Sequence, residues 1–390
     1  MKVLLVTNLF PTPVDLERGV FTLQLAKELN KICDLTIVCP LPWFPKIKML
    51  RFLDKWYQLA NVPEKYEIDG LTVYSPKYFL LPKVSESFHD VLMGMRLEPF
   101  IKALHNKQKI DVINSHWLYP DSVAVDRVAK KINVKHIATG LGCDINDSLT
   151  QRSKADKILK MLQNIGGVTV VSSRLKQVLV SNGIKEDNIK VILNGVDVNK
   201  FKLLDSDINR KKLNLDKSSK IILYVGRLSF EKSIDSLINA FHKIHHTNIE
   251  LLLVIIGDGP ELGFLHEIVE SLGLNKVVKF IGKVSHDEIN SWFSSADIFC
   301  LPSLREGCPN VVLESLSSGC PVVASDVGAL PDLITKDSGL LFEPKNIDDI
   351  SNKLTLALNH KWNRKLIHDS MKSFTWEEVA SQYFQVYYDE

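Results

Sequence analysis

The stretch Asp297-Ile298-Phe299-Cys300-Leu301-Pro302-Ser303-Leu304-Arg305-Glu306-Gly307-Cys308-Pro309-Asn310-Val311-Val312-Leu313-Glu314-Ser315 passes from an apolar run through a polar loop to a second apolar pattern. The run Asp297 to Pro302 reads as a buried strand. Pro309 suits the first position of a helix, where no N–H is needed, so a helix is predicted to open there. The free N–H groups of Asn310 and Val311 then point out of the helix start, which is where an anion binds. Two carboxylates frame that point, Glu306 in the loop and Glu314 in the helix. Hydroxyl-binding groups around an anion site match a nucleotide diphosphate-sugar, with its ribose hydroxyls, diphosphate and sugar hydroxyls. The same residues also suit a helix with an acidic residue in its early turns and a solvated Glu before it.

Strand, loop and helix recur along the whole chain. Strand candidates in the first half are Lys2–Thr7, Asp34–Pro40, Asp111–His116, Val134–Gly140, Gly167–Ser173 and Lys190–Gly195. Those in the second half are Lys220–Gly226, Glu250–Gly257, Lys276–Gly282, Asp297–Pro302, Cys320–Asp326 and Gly339–Pro344. Helical patterning separates them in Phe21–Leu29, Ser233–His245 and Ile347–Leu358. The fold class is therefore α/β, with two doubly wound domains. A chain of 390 residues is too long for one ordinary core, which agrees. The first domain is expected over 1–200 and the second over 201–374. The polar segment Asn199–Ser219 reads as their linker, and its Asp205-Ser206-Asp207 as linker residues and not a metal site. The tail, 375–390, has Trp376, Val379, Tyr383 and Val386 on related faces and is expected to pack back on the first domain. Ligands of doubly wound sheets bind at the carboxyl ends of strands. Two such sheets facing one another are expected to enclose a small-molecule site.

Composition bounds the alternatives. With 45% hydrophobic and 24% charged residues the chain is that of a globular protein. Its longest aliphatic run, Leu251 to Ile256, is far short of a membrane span. The opening Met1–Val6 is too short for a signal-peptide core and reads as a first strand. The cysteines, Cys33, Cys39, Cys143, Cys300, Cys308 and Cys320, show no C-x-x-C spacing, so they read as reduced thiols of a cytosolic protein. Residues 1–200 hold 28 Lys+Arg against 20 Asp+Glu, whereas the remainder holds 20 against 26. A basic half suits an anionic partner such as a membrane surface, a lipid phosphate or a nucleic acid, and ordinary solvation accounts for it as well. The segment Trp43–Leu59 interleaves aromatics with Lys46, Lys48, Arg51 and Lys55. It suits either an anionic membrane surface or a helix with basic exposed positions.

Residues that could carry chemistry follow strands. Arg227 and Lys232 come after Lys220–Gly226, where one cation can grip a phosphate in bidentate fashion and the other can act as a point charge. They also suit a surface pair with Glu231 and Asp235. Gly19, at the start of the first helix, allows close approach of a phosphate to backbone amides, or is a plain turn glycine. His116 ends a strand, and so does Thr139-Gly140-Leu141-Gly142-Cys143-Asp144; His116 and Asp144 are acceptor-side candidates, with a structural histidine as the alternative for His116.

Taken together, these residues resemble the GT-B-fold retaining glycosyltransferases of family 4, the glycosyl transferases group 1. The resemblance runs from Arg18-Gly19-Val20-Phe21 through Asn194-Gly195-Val196-Asp197, Val225-Gly226-Arg227 and Glu306–Glu314 to Ser318–Ala324 and Phe374-Thr375-Trp376. It implies that Glu306 contacts the donor sugar and Glu314 the ribose. Arg227 and Lys232 would hold the diphosphate, with the amides near Gly19 and at Asn310 and Val311, beside Pro309. The base would rest near Gly282-Lys283-Val284. The resemblance also implies no metal and no cofactor beyond the nucleotide diphosphate-sugar donor, with front-face transfer to a glycan or lipid-linked acceptor. The partners are then small molecules and an anionic membrane surface, with no nucleic acid, for a protein in the cytoplasm or on the inner face of the membrane. One position departs from the family. Where many members carry a His before the Gly of T-x-H-G-x-D, this chain has Leu141, so that residue's role does not carry over. A nucleotide-sugar 2-epimerase and a non-catalytic nucleotide-sugar-binding protein are the competing readings.

Overall fold

The computed structural model describes residues 1–44, 54–80, 88–245 and 250–389. Most of the basic aromatic stretch Trp43–Leu59 lies outside the described residues. The chain divides into two compact units, Met1–Leu193 with Trp376–Glu390, and Asn194–Thr375.

The second unit is built on a six-stranded parallel sheet. Across it the strands run Val278–Gly282, Leu251–Ile256, Lys220–Val225, Ile298–Leu301, Val322–Ser325 and Gly339–Phe342. Continuous apolar runs make such a sheet because both of its faces are covered. Leu251–Ile256 and Ile298–Leu301 are buried throughout. The order reverses between Lys220–Val225 and Ile298–Leu301, which pair through Ile222 with Ile298 and Leu223 with Phe299. That reversal is the topological switch point of a Rossmann-like sheet, and it leaves a crevice at the carboxyl ends of the two strands.

The segment expected to be a linker is part of this unit. Asp205 caps the helix Ser206–Lys212 by accepting the Ile208 N–H at 2.9 Å, and Asp207 pairs with Lys217 at 2.8 Å. The buried Arg210 donates to the Ser295, Lys217 and Ser219 carbonyls and to Asp297. Its guanidinium pins a polar segment that has few apolar residues of its own to bury.

The first unit carries an eight-stranded sheet, parallel except for one hairpin. Its strands run Ile189–Val191, Gly167–Val170, Lys135–Gly140, Val112–His116, Lys2–Val6, Asp34–Val38, Leu71–Tyr74 and Lys65–Ile68. The last two were not expected from the sequence, nor was the separate pair Leu41–Trp43 and Lys77–Phe79. This sheet has its own switch point, between Lys2–Val6 and Val112–His116. The C-terminal helix, Trp376–Tyr388, belongs to this unit. Its Trp376, Val379, Tyr383 and Tyr387 are buried with Val3, Val112 and the first helix's Leu25 and Leu29. Among the described residues no helix is long and apolar enough to cross a membrane.

Candidate active site

The second unit's switch point gathers the residues singled out from sequence. After the strand Lys220–Val225 the chain turns through Arg227 and a short 3-10 turn, Phe230–Lys232, into the helix Ile234–His245. Arg227 is exposed at the strand end, and its carbonyl accepts the hydroxyl of buried Tyr224 at 2.9 Å. The adjacent strand, Ile298–Leu301, leads into the loop of Ser303 and Glu306. Lys232 Nζ meets Glu306 Oε1 at 2.5 Å, and Ser303 Oγ donates to the same oxygen at 2.6 Å. The Glu306 side chain is 10% exposed and that of Lys232 22%. Parallel pairing thus joins two residues 74 positions apart at neighbouring strand ends. The Glu231 carbonyl accepts the Leu304 N–H at 2.8 Å and ties the two loops together.

A third loop braces Glu306 from behind. Gly328 sits at φ +55° with its Cα against the Glu306 and Gly307 carbonyls, and an added Cβ would lie 2.4 Å from the Glu306 oxygen. Only glycine fits that conformation and that approach. The next N–H, of Ala329, donates to the Gly307 carbonyl at 2.8 Å.

The helix that follows is Asn310–Ser317, with Pro309 one position earlier than expected, at its cap with ψ 111°. The first amides of a helix have no partner within it, and the Val312 N–H is the one that bonds back, to the Pro309 carbonyl at 3.1 Å. Asn194 fixes this helix start. Its side-chain amide donates to Asn310 Oδ1 at 2.8 Å and to the Cys308 carbonyl at 3.1 Å. Cys308 is buried and its thiol is pushed up to about 12 by that burial, so it is no nucleophile. Within the helix, Glu314 Oε1 accepts from His286 Nε2 at 2.9 Å. His286 stands two residues beyond the half-buried Val284, in the loop after the strand Val278–Gly282. Ser303, His286, Asn194 and Gly328 were not foreseen as partners of these residues. The single available signal was Ser303 three residues before Glu306; the others come from distant segments.

Gly19, His116 and Asp144 belong to the first unit. Gly19, at φ +60° ahead of the helix Val20–Ile32, lines a cavity of about 570 Å³ with Asn8, Asp15, Arg18 and His89. His116 does not line it. Its ring is buried 5.9 Å from that of Tyr383, it shares Asn114 Oδ1 with the Tyr387 hydroxyl, and burial lowers it to about 3. In this structure His116 is therefore a neutral, covered imidazole packed under the C-terminal helix. Asp144 is also buried, and its two oxygens accept the N–H groups of Leu118, Leu141 and Gly142 at 2.8 to 2.9 Å. Burial raises it to about 6 against the pull of those amides. It joins its own loop to the Leu118 segment. At the switch point, Asn8 donates through its N–H and its side-chain amide to the two oxygens of Asp121, both at 2.6 Å. Burial raises Asp121 to about 8.

Two Rossmann-like units, one of them with a cation–carboxylate cluster at its switch point, define the GT-B class of α/β enzymes. The glycosyl transferases group 1 model matches residues 205–372 and the glycosyltransferase family 4 model residues 19–200. This chain belongs to that glycosyltransferase family. It is 32% identical over 349 residues to an uncharacterized glycosyltransferase, MJ1607, of Methanocaldococcus jannaschii, covering 84% of this chain and 87% of the relative. It is 28% identical to TuaC of Bacillus subtilis, a glycosyltransferase assigned to teichuronic acid biosynthesis, over 91% of this chain and 88% of that one. Among solved structures, Anabaena HepE in complex with UDP superposes with a TM-score of 0.74 at 17% identity, covering 99% of both chains.

Proposed function

We propose that this glycosyltransferase takes a sugar from a nucleotide diphosphate-sugar held in the second unit and passes it to a glycan or lipid-linked acceptor, with retention at the anomeric carbon. The observation that carries the reading is the Lys232–Glu306–Ser303 cluster across the switch point. Lys232 has three N–H donors, and Glu306 takes one, which leaves two for diphosphate oxygens. Arg227 adds a planar fork on the same side of the sheet. As the bond from the anomeric carbon to phosphate breaks, charge grows on the leaving diphosphate, and these cations stabilise it. The amides of Asn310 and Val311, beyond Pro309, add dipoles of the same sign. Glu306 Oε2 receives a donor-sugar hydroxyl, Glu314 the ribose, and the backbone at Val284 the base.

Transfer proceeds on one face. The acceptor hydroxyl attacks the anomeric carbon from the side on which the phosphate departs, and its proton passes to the leaving phosphate oxygen. In this division of labour the two side chains take the charge a divalent cation would otherwise meet, so turnover is expected to persist in EDTA. The acceptor is read by the first unit. The assignment of the TuaC relative to teichuronic acid biosynthesis supports a role in cell-surface polysaccharide. The basic balance of residues 1–200 supports peripheral contact with an anionic membrane, tested by flotation with anionic liposomes.

The test is a panel of UDP-, GDP- and ADP-sugars scored by thermal shift, since a ligand of the native state raises its stability. One group of donors is expected to raise the midpoint, and mass spectrometry is expected to find the sugar on an added acceptor. No stabilising donor would overturn the reading, and an altered nucleotide-sugar with no acceptor product would replace it with a 2-epimerase.

A further inference from the structure

We infer that His286 is the residue that makes Glu314 a reader of the ribose, setting which oxygen of Glu314 is offered and so how strongly the site tells ribose from 2′-deoxyribose. The inference rests on the second unit being a nucleotide-sugar site.

The geometry is specific to this pair. A carboxylate accepts and does not donate, so the 2.9 Å contact places the proton on His286 Nε2 and aims it at Glu314 Oε1. The other oxygen, Oε2, carries no hydrogen bond among the described residues. The Glu314 side chain is 15% exposed, and with Oε1 engaged by His286 its Oε2 is left to accept from a ligand. A carboxylate without such a partner turns among rotamers and must be ordered when the ribose binds. Here the histidine occupies one oxygen, and the remaining one takes a single hydroxyl in a fixed orientation. The imidazole itself has its side chain 54% exposed.

The histidine is held from two sides, which is what a positioning residue requires. Its ring meets the fully buried Phe201 edge-on at 5.1 Å. Its backbone is set by a local ring in which Glu288 Oε2 accepts the Ser285 N–H at 3.2 Å and its hydroxyl at 2.8 Å. That local ring lies directly ahead of the helix Ile289–Ser295. On the other flank, Asp287 pairs with Lys200 at 2.6 Å. The loop therefore presents His286 in one place before any ligand arrives, and little ordering is left to be done on binding.

The experiment measures binding of UDP, GDP, ADP and their 2′-deoxy forms by calorimetry, in the wild type and in His286→Ala and His286→Gln. The wild type is expected to prefer its ribonucleotide over the deoxy form by tenfold or more. This preference should shrink at least fivefold in His286→Ala, through weaker binding of the ribonucleotide alone. His286→Gln keeps an N–H donor in reach of Glu314 and is expected to recover part of it. A purely structural role would weaken both ligands equally and lower the thermal midpoint. Undiminished discrimination in His286→Ala, or an equal loss for both ligands, overturns the inference while nucleotide binding by the wild type stands. Absence of any nucleotide binding by the wild type overturns the reading of the site itself.

Discussion

The two switch points of this enzyme are built from the same kind of sheet and do opposite things with their carboxylates. In the first unit, Asp121 spends both oxygens on Asn8, and Asp144 spends one on the Leu141 and Gly142 amides of its own loop and the other on the distant Leu118 amide. These groups are saturated by the protein, and burial keeps them protonated to higher pH than an ordinary carboxylate. In the second unit, Glu306 and Glu314 each have one oxygen engaged, by Lys232 with Ser303 and by His286. Spare hydrogen-bonding capacity beside fixed cations suits a ligand, while full internal satisfaction suits a structural role. Carboxylates that look alike in sequence separate on this criterion.

The contrast can be broken first at its strongest point. Glu306→Ala and Lys232→Ala are each expected to lower turnover ~100-fold or more, as loss of a preorganised charge at a reacting centre does. Circular dichroism should remain that of the wild type. Near-normal rates in both variants would remove the functional half of the comparison. Asp144→Ala should do the reverse. It strands three amides, two of them buried, and is expected to cost about 3 kcal/mol of stability by urea unfolding, with donor-nucleotide affinity unchanged within about twofold. Loss of nucleotide binding without loss of stability would show that Asp144 had been misjudged.

The smallest effect is one of pH. The folded state binds the Asp121 proton more tightly than the unfolded chain, since the group rises from 3.8 to about 8. That contribution is full below about pH 4 and is lost as pH rises through about 8. Asp121→Asn is neutral throughout. Its stability relative to the wild type should therefore improve between pH 5 and pH 8.5 in paired urea titrations, and a constant difference would refute the buried, protonated carboxyl.

Several features of the fold were legible in particular residues. The aliphatic runs Leu251–Ile256 and Ile298–Leu301 have no polar alternation, so they had to be strands covered on both faces. The hairpin Lys65–Ile68 with Leu71–Tyr74 was missed although its signal was present. Asp69-Gly70 lies between two alternating runs, and both residues take the positive φ, 50° and 78°, that a two-residue hairpin turn needs. Asp205 was read as part of a linker because its segment is polar, and what orders that segment is the guanidinium of Arg210 reaching the distant Asp297. Leu141 departs from the family pattern, and its amide is used to bind Asp144.

By itself, the order of residues determined that strands and helices would alternate, and that Glu306 and Glu314 would fall on either side of a helix start. Periodicity and local geometry are encoded in neighbours, so a single pass along the chain reads them. Tertiary structure alone decided that Lys232 meets Glu306 across a strand reversal, that His286 claims one oxygen of Glu314, and that His116 and Asp144 are buried. Those outcomes depend on which strand ends become neighbours and which donors bury beside each carboxylate. Chain distance carries no information about either, because packing joins residues whose separation in sequence is arbitrary.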